Sequence, residues 1–167
     1  LTSLGADSAG RDLLAEAKRR GIETALVHIS KKHPTDQYIA IEGSNGLVAA
    51  IADAGSLEAE AKSVITPMLD GRLGSVETPF EGLIVCEGNL PSGALEFISG
   101  TAEFSKADLR LAPASPGKAE RLKIFFGHPN ATIYVNLTEA NILLGAEYQD
   151  AHAAAAALVK TGLRKAA

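Results

Sequence analysis

The sequence predicts an α/β fold with a mostly parallel sheet, flanking helices and one small β-hairpin. Short apolar runs alternate with helical segments over most of the chain, which is typical of a parallel sheet with helices on its faces. A hairpin pattern surrounds Asn45 and Gly46. The 167 residues are 46% hydrophobic and carry a formal net charge of −4, so they supply one ordinary globular core and do not resemble a disordered chain.

The first predicted element is a helix that begins at Asp7 or Ser8. Either side chain can accept a hydrogen bond from the free N–H groups at a helix start. Gly21 predicts the end of this helix, since glycine tolerates the left-handed conformation common there. A strand over residues 24–30 follows.

Residues 36–53 predict an antiparallel hairpin that turns at Asn45 and Gly46. These two residues give the strongest short hairpin signal, because both tolerate a positive φ. Both sides of the hairpin are unusually apolar for an exposed ribbon. Such a hairpin needs a cover, either a ligand or a second copy of the chain.

After the hairpin, helical and strand patterns alternate to the end of the chain. Continuous apolarity marks the buried strands, and the helices begin close behind them. Helices are predicted over residues 56–65, 66–73, 91–99, 115–126, 137–145 and 148–162, and strands over residues 82–87, 107–114 and 131–135.

Composition excludes several classes of function. The sequence has no basic block and no stacking pattern, so nucleic acid is not expected as a partner. It has no run of roughly 20 apolar residues, so a membrane is not expected either. Cys86 is the single cysteine and has the pattern of a small buried hydrophobe. A cytoplasmic location is therefore expected.

Polar residues follow three of the predicted strands at the edge where ligands gather in open α/β sheets. Glu87 and Asn89 follow the first, Lys118 comes after the second, and Asn136 and Glu139 follow the third. The set combines carboxylate, carboxamide and ammonium groups. It suits a hydrated cation beside an anionic ligand.

Each of these residues also has a structural interpretation. Asn136 and Glu139 match a capping box, in which each side chain satisfies a free N–H group of a helix start. Glu87 and Asn89 match a turn before a helix, and Lys118 matches a solvated lysine. A capping carboxylate can also hold hydrated metal, so the two interpretations of Glu139 are compatible.

Five segments, in this order, resemble the PfkB carbohydrate kinase family of ribokinase-like fold, nearest its pseudouridine or nucleoside kinase-like members. "LGADSAGRDLLAEAKRRGIET" is similar to the segment after the family's second Gly-rich region, and "HPTDQYIAIEGSNGLVAAIADA" to its lid hairpin. "VCEGNLP" resembles an Asp-x-Asn-Leu-Pro strand end, and "APASPGKAERL" a Pro-x-Ser-x-x-Lys segment. "VNLTEANILLG" carries the Asn-x-x-Glu motif.

The resemblance implies transfer of the γ-phosphoryl group of ATP to a hydroxyl of a sugar or nucleoside. It implies that Asn136 and Glu139 hold Mg²⁺ through water, and that Asn89 and Lys118 lie on the phosphate or acceptor side. The hairpin, at about residues 33–53, would be the lid. Its expected contacts to the acceptor are Thr35, Gln37 and Tyr38.

The resemblance is incomplete. The family's N-terminal Gly-Gly-x-x-x-Asn and C-terminal Gly-Ala-Gly-Asp segments have no counterpart, and the second supplies the catalytic base. Glu87 and Ala112 stand where many relatives have Asp. We therefore expect residues 1–167 to be a partial ribokinase-like domain, truncated at both ends and inactive alone. The alternative is a non-catalytic α/β binding or dimerisation module that uses the apolar hairpin, with a homodimer as the expected assembly.

Overall fold

The computed structural model describes the backbone of all residues Leu1–Ala167 and every side chain except that of Leu47. The chain divides into two compact units, Leu1–Pro67 and Met68–Ala167. Each unit has its own strands and helices, and each is described by itself below.

The first unit opens with a short parallel strand pair joined by a helix. Strand β1 (Ser3–Gly5) pairs with β2 (His28–Ser30), and helix α1 (Ser8–Arg19) connects them. Asp7 caps α1 by accepting from the N–H of Gly10, so the predicted start is confirmed. The strand predicted over residues 24–30 is shorter than expected, because pairing to β1 begins only at His28.

The hairpin consists of β3 (Gln37–Gly43) and β4 (Gly46–Asp53), which pair antiparallel. The predicted turn position is wrong by one residue. Gly43 pairs with Gly46, so Ser44 and Asn45 form the turn, and Gly46 opens β4 with a φ of 106°. In the described part of the chain, Ala114 is the one non-glycine residue with a positive φ, so the φ of Asn45 is not positive. The positive φ of this turn lies at residue 46, and that is where glycine is needed.

Two short helices replace the single helix predicted over residues 56–65. Helix α2 (Gly55–Ala59) and α3 (Ala61–Ile65) are separated at Glu60, whose φ and ψ are −103° and 13°. The carboxylate of Glu60 accepts from the hydroxyl of Ser30 at 3.1 Å. This tertiary contact lies outside the hydrophobic periodicity on which the prediction rested. A 3₁₀ turn (Thr66–Leu69) occupies part of the next predicted helix.

The second unit is built on a four-stranded parallel sheet in the order β5-β6-β7-β8. The strands are β5 (Leu83–Glu87), β6 (Asp108–Ala112), β7 (Ala131–Ile133) and β8 (Lys165–Ala166). Helices α4 (Ser92–Gly100), α5 (Leu137–Leu144) and α6 (Ala151–Val159) connect them, together with 3₁₀ helices Ala102–Phe104 and Pro116–Phe125. The longer connecting helices contact one another in sequence, so they form one layer.

Alternate burial along the strands shows which face of this sheet the helices cover. Leu109 and Leu111 are fully buried, whereas Arg110 between them is exposed. The same alternation leaves Leu83 and Val85 exposed on the edge strand β5. The predicted α/β class, with its parallel sheet and small hairpin, is confirmed.

The helix predicted over residues 115–126 is a 3₁₀ helix, Pro116–Phe125. Ala119, Leu122 and Phe125 are each 0% exposed. Their spacing of three places them on one line of a helix with three residues per turn. An α-helix of the same sequence would carry these side chains progressively around its axis, so core packing favours the tighter helix.

No helix among the described residues is both long enough and apolar enough to cross a membrane.

Candidate functional site

The site begins at the carboxyl ends of β5, β6 and β7, which lie side by side at one edge of the sheet. Parallel strands bring the residues that follow them to the same edge, where α/β proteins bind ligands. The sequence placed Glu87 and Asn89, Lys118, and the pair Asn136 and Glu139 after these strands. The structure brings them together as two hydrogen-bonded groups.

The first group links a carboxylate, an amide and an ammonium. The amide nitrogen of Asn89 donates to Oε2 of Glu87 at 2.7 Å. Lys118 Nζ donates to the amide oxygen of Asn89. Because a carboxylate only accepts and an ammonium only donates, the Asn89 amide has one possible orientation. The predicted juxtaposition of Asn89 with Lys118 is therefore present.

The loops that carry this group are packed against each other without spare room. Gly88 donates its N–H to the carbonyl of Ala112 at 2.8 Å. A Cβ at Gly88 would lie 2.3 Å from the carbonyl oxygen of Pro113, so only glycine fits there. Ala114, next along the chain, has a φ of 67°, a conformation that costs a non-glycine residue free energy. Both loops are thus held in one shape where they approach.

The second group is the capping box of α5. Oδ1 of Asn136 accepts from the Glu139 N–H at 2.9 Å, and Oε2 of Glu139 accepts from the Asn136 N–H at 3.0 Å. The capping interpretation is therefore confirmed. Glu139 is 8% exposed, and its Oε1 makes no hydrogen bond to the described residues. One carboxylate oxygen is committed to the cap, and the other has lone pairs left for a ligand.

The two groups follow strands that are separated by two strand spacings. Since β7 is the second neighbour of β5, their ends lie about 10 Å apart.

The donor set fits a magnesium ion that keeps most of its water. No group of three or more His, Cys, Asp or Glu side chains that could enclose a metal occurs among the described residues. Mg²⁺ is commonly bound by one or two carboxylates together with water and substrate phosphates. Glu139 and Asn136 offer one such carboxylate and an amide oxygen.

The three predicted acceptor contacts lie in the first unit and differ in environment. Gln37 and Tyr38 are exposed on β3. Thr35 is 3% exposed, and its hydroxyl donates to Oδ1 of Asp7 at 2.7 Å and accepts from the Gly5 N–H at 3.0 Å. Both hydrogen-bonding roles of the Thr35 hydroxyl are therefore used inside the unit.

Sequence reasoning missed Arg121, which donates to backbone carbonyls of the loop after β5. It stands three residues after Lys118, on a 3₁₀ helix where that spacing repeats one face. The spacing is visible in the sequence, but only the helix type gives it meaning.

A parallel sheet with one helical layer, a small antiparallel hairpin and polar strand ends defines a ribokinase-like α/β protein. The chain belongs to the pfkB family carbohydrate kinases, which it matches over residues 1–166. A search of curated proteins found no match.

Solved structures of kinases share the fold. A carbohydrate kinase from Agrobacterium tumefaciens has 24% identity and a TM-score of 0.69, covering 98% of this chain and 50% of that one. The ribokinase from Giardia lamblia has 20% identity and a TM-score of 0.75, covering 97% and 50%. Arabidopsis thaliana ribokinase, solved with ribose and ATP, has 16% identity and a TM-score of 0.69, covering 99% and 53%. The chain thus spans about half the length of these kinases.

Proposed function

We propose that the protein to which this chain belongs transfers the γ-phosphoryl group of ATP to a hydroxyl of a sugar or nucleoside. The main support is the hydrogen-bonded group of Glu87, Asn89 and Lys118 at the same sheet edge as the capping box of Asn136 and Glu139. Family membership and the ribose and ATP found in the Arabidopsis neighbour support the same chemistry.

Phosphoryl transfer needs little covalent help from the protein, so positioned charge supplies most of the rate. Lys118 brings a positive charge to the phosphate or acceptor side, and Asn89 holds its ammonium in place. Glu139 and Asn136 would hold Mg²⁺ through water. When bound, that ion neutralises the charge of the phosphates.

The hairpin of β3 and β4 serves as the lid in this proposal. A lid excludes water from the transferring phosphoryl group. Gln37 and Tyr38 are exposed and are the proposed contacts to the acceptor. Thr35, assigned to the same role by the resemblance, would act at the base of the lid, because its hydroxyl is occupied by Asp7 and Gly5.

A second candidate function is a non-catalytic binding or dimerisation module. The exposed apolar hairpin favours it, since Ile39, Ile41 and Ile51 are 58%, 61% and 71% exposed. Exposed apolar surface of this kind marks interaction sites. The two functions are compatible if a second copy covers the part of the hairpin that does not contact the acceptor.

The proposal is tested by ATP consumption with ribose, adenosine and pseudouridine, using the full reading frame that encodes this chain. The wild-type product should phosphorylate at least one acceptor. Glu139→Gln should reduce activity at least tenfold, because it removes the charge that attracts Mg²⁺. The same change should leave the cap intact, since glutamine also completes a capping box.

Three results bear against parts of the proposal. If the full-length product consumes no ATP with any of the three acceptors, the kinase function is contradicted. Unchanged activity of Glu139→Gln limits Glu139 to its cap. Turnover by residues 1–167 alone contradicts the expectation that the catalytic base lies elsewhere.

A further inference from the structure

We propose that Arg121 is a positioning residue that fixes the loop after β5 and thereby aims Asn89. This inference rests on the proposed kinase function for its consequence in activity. Its structural part stands on the contacts of Arg121 within the second unit.

Arg121 satisfies carbonyl groups that the neighbouring helix does not use. Its Nη1 donates to the carbonyl oxygen of Gly88 at 3.0 Å, with longer contacts of 3.3 and 3.4 Å to those of Asn89 and Leu90. The hydrogen-bond ladder of α4 begins only at the carbonyl of Pro91. The three carbonyls before it need another donor, and a guanidinium can serve several acceptors at once.

The geometry of the 3₁₀ helix explains why this one element contacts both the backbone carbonyls of the loop and the side chain of Asn89. Residues three apart eclipse each other in a helix with three residues per turn. Lys118 and Arg121 therefore share a face, with Lys118 on the Asn89 amide and Arg121 on the loop carbonyls. Ala119 and Leu122, one position later, form the buried face that anchors the helix.

Two further features make the loop sensitive to a lost donor. Gly88 has no space for displacement toward Pro113, whose carbonyl oxygen would be 2.3 Å from an added Cβ. Leu90 donates its N–H to the carbonyl of Glu87 at 3.2 Å, which closes the turn. Without Arg121 the carbonyls would rotate toward water, and the Asn89 amide would lose its alignment with Glu87 and Lys118.

The first test measures the loop itself in the 167-residue chain. Arg121→Ala should raise amide hydrogen exchange at Gly88 and Leu90 at least tenfold, and shift the side-chain amide signals of Asn89 in NMR spectra. Arg121→Lys should give an intermediate effect, because an ammonium lacks the planar fork. Lys123→Ala, which removes an exposed cation from the same helix, is the control and should change neither signal.

The second test asks whether Arg121 acts through Asn89. In the full-length kinase, Arg121→Ala and Asn89→Ala should each lower kcat/KM for ATP at least tenfold. The double variant should be no worse than Asn89→Ala alone, since a residue that works through another has no separate effect once the other is gone. A merely structural role of Arg121 predicts multiplied losses.

The outcomes separate this inference from the proposed function. Unchanged hydrogen exchange in both Arg121 variants overturns it, and so do multiplied losses in the double variant. If the wild-type product lacks kinase activity, the proposed function fails, and hydrogen exchange alone decides whether Arg121 positions the loop. If Arg121→Ala does not fold, Arg121→Lys provides the same comparisons.

Discussion

Glu139 uses one carboxylate oxygen in the cap of α5, and the other makes no hydrogen bond to the described residues. The cap fixes the side chain at the end of β7, where it is largely buried. A fixed carboxylate is better placed to hold hydrated metal than a mobile one, because less conformational freedom is lost on binding. The structural and the proposed functional roles of Glu139 therefore support each other.

Asp7 is the corresponding fixed carboxylate of the first unit. It accepts from the Thr35 hydroxyl, the Thr35 N–H and the Gly10 N–H. These bonds, led by the one from the Thr35 hydroxyl, lower the pKa of Asp7 from 3.8 to about 2. The charged form of Asp7 thus connects the start of α1 to the segment that enters the hairpin.

Replacing Asp7 with asparagine should change how the free energy of unfolding depends on pH below about pH 4. A carboxylate with a lowered pKa in the folded state contributes stability above its unfolded pKa and loses it as the pH falls through its folded pKa. The stability advantage of wild type over Asp7→Asn should therefore be present at pH 6 and shrink between pH 4 and pH 2. Asparagine remains a good N-cap, but its amide nitrogen cannot accept from the Thr35 N–H. The lost acceptor lowers stability at every pH, so the part of the difference that changes with pH reports the charge.

Urea denaturation at each pH measures this difference. Asp12→Asn, at an exposed position of the same helix, controls for the loss of one surface carboxylate. A stability difference between wild type and Asp7→Asn that stays constant from pH 6 to pH 2 contradicts a role for the Asp7 charge.

At the scale of elements, the 3₁₀ helix Pro116–Phe125 links the core to the candidate site. Its buried face carries Ala119, Leu122 and Phe125, and the adjacent face carries Lys118 and Arg121. Because both faces repeat every three residues, packing of the core sets the direction of the two cations.

Leu122→Ala should destabilise the chain by about 2–5 kcal/mol, the usual cost of a leucine-sized cavity in a core. Leu122 is 0% exposed, whereas Ile124 on the same helix is 42% exposed. Ile124→Ala should therefore cost much less, and it serves as the control. Chemical denaturation gives both values, and similar losses in the two variants would argue against the buried stripe.

At the scale of the whole molecule, the chain consists of two units with different exposed surfaces. In the first unit, one face of the hairpin presents Ile39, Ile41, Ala49 and Ile51, since Ile39 pairs with Ile51 and Ile41 with Ala49. In the second unit, the sheet face opposite the helices exposes Leu83 and Val85. The hairpin face is the continuous apolar surface for which a second copy is proposed as cover.

Sedimentation velocity tests this assembly. Wild-type chain should form a dimer whose population rises with concentration, and Ile39→Asp should shift it to monomer, because a charge buried at an apolar interface is costly. Val159→Asp, at an exposed apolar position of α6, is the control and should leave the dimer unchanged. A wild-type chain that stays monomeric at every concentration removes the support for the homodimer and for the non-catalytic module.

The sequence by itself determined the α/β class, the hairpin, the start of α1 and the capping box of Asn136 and Glu139. These features depend on neighbours along the chain, so local patterns reveal them. It also placed Asn89 and Lys118 at one sheet edge, because strand order and chain direction bring successive strand ends together.

Tertiary structure alone decided the rest. At the helix break, Glu60 accepts a hydrogen bond from the Ser30 hydroxyl. The buried Thr35 hydroxyl donates to Asp7. The hydrogen bonds from Arg121 to the loop after β5 depend on a 3₁₀ helix that core packing favours. These contacts join residues 28 or more positions apart in the sequence. The Arg121 contacts also depend on a choice between two helix types of similar local free energy. A local sequence pattern indicates neither kind of feature.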